Sequence, residues 1–143
     1  MMPRLTFGDD ANVAAWVKMR VPVWAAPGKF IAIGVVDNET NRPLAGVVYN
    51  GFREGDCNMH IATDDPRWCS RRVLSVLFQY PFIQLGQRRV TAICARRNKR
   101  ARKFVERVGF KVEGKIRHAF RKDHAIVYGM LINECRWING LRG

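Results

Sequence analysis

The stretch from Asn98 to Phe120 constrains the fold more than any other part of the sequence. Asn98 is a typical N-cap residue, and Gly109 stands where a glycine commonly ends a helix. Between them, apolar residues recur at the spacing of an amphipathic helix: Ala101, Phe104, Val105 and Val108. From Phe110 to Phe120 apolar and charged residues then alternate, which is the two-residue period of a strand. The chain is therefore predicted to pass from a helix into a strand through a single glycine.

The first half of the chain reads as one helix and a meander. Apolar residues at helical spacing, including Val13, Trp16 and Val17, predict a helix over roughly 11–20, and a short strand is possible at residues 3–7. Apolar runs separated by turn residues then predict three consecutive antiparallel strands, at Phe30–Val36, Leu44–Phe52 and Cys57–Thr63.

The second half alternates helices and strands. A largely buried helix is predicted to begin near Ser70 and to be bent or ended by Pro81. The strand Val90–Ala95 follows it and should run parallel to the strand before that helix, since a helical crossover joins the two. A last strand is predicted over 125–135. This order predicts a mixed α+β fold, and a length of 143 residues indicates one domain over 1–143.

Charge is the most informative feature of the composition. Twenty-five Lys and Arg residues against twelve Asp and Glu residues give a formal net charge of +13. A surplus of this size attracts polyanions such as nucleic acid, phosphorylated cofactors or acidic proteins. The alternative is that the charge only keeps the protein soluble.

Several classes of site and location are disfavoured by the sequence. No apolar run approaches the ~18 residues of a membrane span, and acidic residues precede any apolar stretch at the start, so we expect a cytoplasmic protein without membrane contact. The four cysteines are expected to be reduced and buried. Cys57 and His60 would point to opposite faces of one strand, so no metal site is expected. Motifs of serine hydrolases and P-loop NTPases are absent.

The order of elements, together with the pattern Asn98-x-x-Ala101-x-x-Phe104-Val105-Glu106-x-x-Gly109-Phe110-x-x-Glu113-Gly114-x-x-Arg117, resembles the GNAT superfamily of acyl-CoA-dependent N-acetyltransferases. It is most similar to the branch of Rim-type N-terminal acetyltransferases and small phage-encoded relatives. The resemblance implies a central mixed sheet of six to seven strands that splays at a cofactor cleft and is flanked by three to four helices.

The resemblance also implies a binding mode for acetyl-CoA. The pantetheine arm would lie between the parallel strands, along Ile61, Ala62 and Thr63, and the pyrophosphate would meet the start of the next helix. Ser70 and Arg72 stand where the family has glycines in this loop. The cofactor-binding residues implied beyond the strand are Arg67, Ser70, Arg71, Arg72, Val73, Asn98 and Arg102, although Asn98 and the arginines also suit a plain helix cap and a solvated surface.

Catalysis in this family is direct attack of an amine on the thioester. The positions that commonly carry a hydroxyl to protonate the leaving thiolate are Val105 and Ala101 here, so both hydroxyls are missing. His60 and Tyr128 are the substitutes that the sequence offers. Glu113, between Lys111 and Lys115, is predicted to form a surface ion pair rather than to act as a base.

Two classes of function stay open at this point. The first is an acetyl-CoA-dependent N-acetyltransferase for a primary amine, with an acceptor region at Val21–Phe30 and Ile116–Ala125. Basic residues there, Arg117, His118, Arg121 and Lys122, would favour an acidic protein segment or a tRNA-linked amine. The second is a catalytically degenerate GNAT-like basic module that binds nucleic acid or protein. The oligomeric state is not predicted.

Overall fold

A computed structural model describes residues 2–22 and 28–140. Within these residues one sheet contains seven strands: β1 (Pro3–Thr6), β2 (Phe30–Asp37), β3 (Pro43–Arg53), β4 (Asp56–Thr63), β5 (Arg89–Ala95), β6 (Lys111–Phe120) and β7 (Asp123–Leu131). The α-helices described are α1 (Asp10–Lys18), α2 (Arg71–Gln79) and α3 (Lys99–Val108). None of the described helices has the length and apolar character needed to cross a membrane.

The order of strands across the sheet is β1-β2-β3-β4-β5-β7-β6. Neighbouring strands pair antiparallel throughout, except that β4 and β5 are parallel. The predicted meander, the parallel crossover and the mixed α+β class are therefore confirmed. β4 and β5 share a single register pair, Asn58 with Thr91, while β5 and β7 stay paired from Arg89 to Ala95. The two parallel strands thus diverge towards their carboxyl ends.

The two faces of the sheet carry different helices. Alternate residues of β2, β3 and β4, such as Val47 and Met59, form the main core with the apolar stripes of α2 and α3. The residues between them, such as Val48 and Ala62, pack against α1. Gly34 and Gly46 let α1 approach closely, since a Cβ built on Gly46 would lie 2.8 Å from Cγ2 of Val17. The sheet therefore separates an α1 face from an α2/α3 face.

α2 ends at Gln79, just before Pro81, and a π-helical turn follows over Tyr80–Gln84. The predicted bounds of the last strand were wrong. The last strand covers 123–131 rather than 125–135. It stops there because the carboxylate of Glu134 accepts a hydrogen bond from the Leu131 amide at 2.9 Å, which starts a short 3-10 turn over Ile132–Glu134.

The alternation in β6 does not produce a buried face. β6 is an edge strand, and the side chains of Val112 and Ile116 are 56% and 41% exposed. The predicted ion pair of Glu113 exists with a different partner: its carboxylate contacts Arg89 at 2.8 Å, and Lys111 pairs with Glu134. The spacing of charges along β6 therefore did not identify the ion-pair partners, which lie on other segments of the chain.

The close packing of α1 on β3 can be tested with Gly46→Ala. The added methyl group meets a stiff β-branched side chain, so we expect the free energy of unfolding to fall by about 1–3 kcal/mol. Gly114→Ala is the matched control, because a Cβ there meets nothing within 4 Å. Urea denaturation of both variants is the measurement, and equal stability of the two would contradict this account of how α1 is seated.

Candidate active site

A cavity of about 540 Å³ opens where β4 and β5 diverge. Its walls are residues 59–63 of β4 and 92–95 of β5, closed by α3 and by the short turn Pro66–Trp68. Because the two strands no longer pair with each other here, backbone groups along both edges can bond to an extended ligand. The predicted splay is thus present, and it places Ile61, Ala62 and Thr63 on the cavity wall.

α3 forms the second wall of the cavity. Asn98 caps the helix, accepting a hydrogen bond from the Ala101 amide at 3.1 Å, and also lines the cavity. Ala101 and Val105 line the cavity. The two positions expected to lack a hydroxyl group therefore form an apolar part of its wall. Phe104 continues this wall and packs against the buried ring of Trp68, with 5.9 Å between ring centroids.

His60 lies on the cavity wall with its ring towards the α1 face of the sheet, on which α1 packs. The side chain is 3% exposed, and its Nε2 lies 3.0 Å from Oδ1 of Asn50 on β3. An amide oxygen can only accept, so Nε2 of His60 donates in this contact when it carries the ring proton. Asn58 and Thr91, both buried, lie on the same face beside the point of divergence.

Tyr128 is not brought together with His60. It is fully buried on β7 and is absent from the described cavity wall. Its hydroxyl group donates to Oε2 of Glu106 at 2.8 Å and accepts from Nε of Arg102 at 3.0 Å. Burial is the largest cause of the raised pKa of Tyr128. Arg102 also donates to the Arg96 carbonyl at 3.2 Å. These bonds hold its side chain away from the cavity, which it does not line.

The side chains of the loop before α2 and of the first turn of α2 are engaged outside the cavity. Arg67 donates through Nη2 to Oδ2 of Asp65 at 2.7 Å, and Ser70 caps α2 by accepting from the Val73 amide at 3.2 Å. The Arg71 guanidinium lies 5.6 Å from the Trp137 ring, and Arg72 donates to the Pro3 carbonyl at 3.0 Å. Val73 is fully buried. None of these five predicted cofactor residues lines the described cavity.

Sequence reasoning missed three residues of the cavity wall, namely Arg20, Trp68 and Cys94. The basic outer face of residues 99–107 was predicted to meet either a phosphate of the cofactor or a larger polyanion, or to be a solvated surface. Three of its cations, Arg100, Lys103 and Arg107, line the cavity, because positions i, i+3 and i+7 lie on one stripe of a helix. The role of Asn50 could not be predicted from the sequence, since its contact with His60 depends on the register of β3 and β4. Burial raises the pKa of the Cys94 thiol to about 11, so this sulfur is protonated at neutral pH and is no nucleophile.

No metal centre is visible in the part of the chain that the structure describes, where no three His, Cys, Asp or Glu side chains are grouped to hold an ion. Cys57 lies in the main core and His60 on the opposite face of β4.

No protein-family model matches the sequence, and no curated protein sequence matches it either. Solved structures do match. A mutant spermidine/spermine N-acetyltransferase from Vibrio cholerae aligns over 97% of this chain and 99% of its own, with 14% identity and a TM-score of 0.71. A GNAT-family acetyltransferase from Bacillus anthracis aligns over 72% and 67%, with 16% identity and a TM-score of 0.60. The chain has the GNAT fold.

A third similar structure with the GNAT fold is ribosomal-protein-S5-alanine acetyltransferase from Vibrio fischeri. It aligns over 96% of both chains, with 13% identity and a TM-score of 0.69. The resemblance drawn from the Asn98–Arg117 pattern is therefore confirmed at the level of the fold. At these identities the comparison speaks for the arrangement of strands and helices, and not for individual side chains.

The contribution of the Asp65 carboxylate to stability can be tested by its dependence on pH. It accepts from the Arg67 amide and from Nε of Arg67, both at 3.0 Å, and these bonds hold the pKa of Asp65 far below its usual range. A lowered folded pKa stabilises the protein above the unfolded pKa of about 3.9, and this contribution is lost as pH falls through the folded value. We expect Asp65→Asn to lower the stability at pH 7, by an amount that stays level down to about pH 4 and then shrinks.

Urea denaturation from pH 7 to pH 3 measures this difference. Asp9→Asn is the control, since Asp9 is exposed and accepts a bond from Asn12 on the protein surface. A gap between wild type and Asp65→Asn that widens below pH 4 would contradict the assigned sign.

Proposed function

We propose that this protein is an acetyl-CoA-dependent N-acetyltransferase that acts on a primary amine. The observation that carries the proposal is the cavity between the parallel strands β4 and β5, which is open along both strand edges and has His60 on its wall. Such an arrangement suits a linear thioester carrier laid between the strands like an added strand.

The residues of the cavity fit this co-substrate. The strand edges at Ile61, Ala62 and Thr63 offer backbone partners to the amides of a pantetheine arm, and Ala101, Phe104 and Val105 offer an apolar wall to its methylene groups. Asn98 stands at the same wall. Acetyl-CoA would supply the acetyl group in activated form, as a thioester.

His60 is the proposed base. Acylation of an amine releases a proton from nitrogen, and a neutral imidazole is suited to accept it near neutral pH. Asn50 is the proposed positioning residue, because its contact with Nε2 at 3.0 Å orients the His60 ring. With no hydroxyl group at positions 101 and 105, solvent is left to protonate the departing thiolate.

The acceptor is proposed to be an amine flanked by acidic groups, on a protein segment or linked to tRNA. The similar structures include enzymes named for spermidine and for a ribosomal protein. A net charge of +13 repels a free polyamine and attracts an acidic acceptor. Exposed cations on the hairpin of β6 and β7 add to this preference: Lys115, Arg117, Arg121 and Lys122.

The decisive experiment measures acetyl-CoA binding by calorimetry and thiol release with three acceptors: an acidic peptide, a basic peptide and spermidine. We expect binding, and faster thiol release with the acidic peptide than with the other two. Absence of binding at millimolar acetyl-CoA would overturn the proposal. Faster release with spermidine or the basic peptide would overturn the acceptor class alone.

The two candidate catalytic side chains can be separated by His60→Ala and Tyr128→Phe. A positioned general base contributes about 10²–10⁴-fold, so we expect His60→Ala to lower kcat at least a hundred-fold with little change in acetyl-CoA affinity. Tyr128→Phe should leave kcat within about three-fold, because its hydroxyl is bonded to Glu106 and Arg102 outside the cavity. The reverse ranking of the two variants would assign the role to Tyr128.

A binding module without chemistry is the second candidate function. The apolar side chains at positions 101 and 105 favour it, since neither can protonate a leaving group. Tight, salt-sensitive binding of RNA or DNA without acetyl-CoA binding would support the module. Thiol release that depends on an acceptor amine would exclude it.

A further inference from the structure

A second cavity, of about 370 Å³, lies on the β1 side of the sheet. Its wall is formed by the chain that follows β1, by the first half of β2 and by the end of α2, and includes Phe7, Ile31 and Val76. It shares no wall residue with the cavity between β4 and β5, from which β3 separates it in the order of strands. The proposed function therefore makes no use of this second cavity.

One side of the second cavity is an open strand edge. β1 pairs with β2 only from Gly34 to Asp37, so within the described residues the preceding part of β2, 30–33, has a neighbouring strand on the β3 side alone. The side chain of Ala32 packs against α1 on the other face of the sheet, and yet Ala32 lines the cavity. Its backbone is therefore the part that reaches the wall. Carbonyl groups at such an edge can accept hydrogen bonds from a ligand.

Asp10 and Tyr80 bring two polar groups to the same wall. Both residues are half-buried, and the Asp10 carboxylate is the one charge among the described wall residues. The described residues provide no ion pair for Asp10, and no hydrogen bond for its carboxylate or for the Tyr80 hydroxyl. Burial is the largest cause of the raised pKa of Tyr80, and the neighbouring Cys57 and Asp10 add to it. The two groups are therefore near each other, and both are available to a ligand.

The backbone around Tyr80 is unusual. Tyr80–Gln84 forms a π-helical turn, closed by a hydrogen bond from the Leu85 amide to the Tyr80 carbonyl at 3.0 Å. Turns of this kind are rare and occur frequently at functional sites. Tyr80 and Gln84, at the two ends of the turn, both line the cavity. The ring of Tyr80 packs edge-on against the buried ring of Tyr49, with 4.9 Å between centroids, so the hydroxyl group is presented from a fixed ring.

These groups match the chemistry of a primary ammonium ion. Such an ion carries three N–H donors, and the Asp10 carboxylate, the Tyr80 hydroxyl oxygen and the edge carbonyls of β2 are acceptors. Gln79 adds an amide oxygen at the same wall, because its Nε2 already donates to Oγ of Ser75 at 3.3 Å. The ring faces of Phe7 and Tyr80 also attract a cation.

The rest of the wall suits an apolar body on that amine. Ile31, Ile33 and Val76 line the cavity together with the exposed ring of Phe7, and the volume is in the range of small-molecule sites. An anion would be repelled by Asp10, and a neutral alcohol would form weaker hydrogen bonds with it. The net charge of +13 opposes cations at long range, but this effect is screened by salt and grows with the charge of the ligand. A monoamine is therefore favoured over a polyamine.

We propose that the second cavity binds a small primary amine with an apolar body, with the ammonium group between Asp10 and Tyr80. This site does not depend on the proposed function, because it uses none of the residues of the cavity between β4 and β5.

Calorimetry with three ligands of similar shape tests this site: phenethylamine, the neutral phenethyl alcohol and the anionic phenylacetate. The variants are Asp10→Asn and Tyr80→Phe, each of which removes one polar group and keeps the shape of the side chain. Asp9→Asn is the matched control, since Asp9 is exposed and does not line the cavity. His60→Ala reports on amine binding at the other cavity.

We expect the wild type to bind phenethylamine at millimolar concentration, and to bind the alcohol and phenylacetate about ten-fold more weakly, the value of one hydrogen bond to a charged group. Asp10→Asn should weaken phenethylamine about ten-fold and Tyr80→Phe about three-fold. The affinity should stay unchanged in Asp9→Asn and in His60→Ala. Circular dichroism checks that each variant is folded, and Tyr80→Phe decides if Asp10→Asn is not.

Three results would overturn the proposal. The first is no binding of phenethylamine by the wild type at millimolar concentration, and the second is equally tight binding of the alcohol. The third is binding that His60→Ala abolishes and Asp10→Asn leaves intact, since the amine would then lie in the cavity between β4 and β5. Amine binding that Asp10→Asn weakens, in a protein that does not bind acetyl-CoA, would support this site and overturn the proposed function alone.

Discussion

The divergence of β4 and β5 is the feature on which the rest of the molecule depends. Two parallel neighbours that share one register pair, Asn58 with Thr91, cannot satisfy each other's backbone groups beyond that point. The antiparallel pairing of β5 with β7 holds one side of the gap, and the meander of β2, β3 and β4 holds the other. α3 and the Pro66–Trp68 turn then close the space without filling it. The cavity is therefore a consequence of strand pairing and not of a loop conformation.

Most of the fold could be predicted from the sequence, because the apolar faces of its periodic helices and strands are buried in the core. The capped helix before Gly109 and the meander strands were predicted within a few residues, and the parallel crossover followed from connection rules. The last strand was overextended, because a side-chain bond from the Leu131 amide to Glu134 ends it, and no periodicity records such a bond. β6 was periodic but unburied, since alternation does not tell whether anything covers the apolar face.

The candidate site was less predictable than the fold, because sequence periodicity does not record which side chains bond to each other. Strand and helix registers fix the positions of His60, Asn98 and residues 61–63, and these residues were found at the cavity. Arg102 was not, although it lies one residue from Lys103: a step of one residue turns a side chain by about 100° around a helix, from the cavity to Tyr128. The loop arginines found partners within the fold, and charge along a sequence does not identify which partner each will take.

The exposed edge of β6 has a consequence for how the protein behaves in bulk. Unpaired backbone groups flanked by the apolar side chains of Val112 and Ile116 form a template on which another strand can build, and nothing in the described fold covers them. Like charge on every molecule opposes this, with Lys115 and Arg117 on the strand itself. That protection is electrostatic and long-ranged, so it fades as the ionic strength rises and the Debye length shrinks. Concentrated solutions of this protein should consequently resist aggregation best in buffer of low ionic strength, and should aggregate first at high salt.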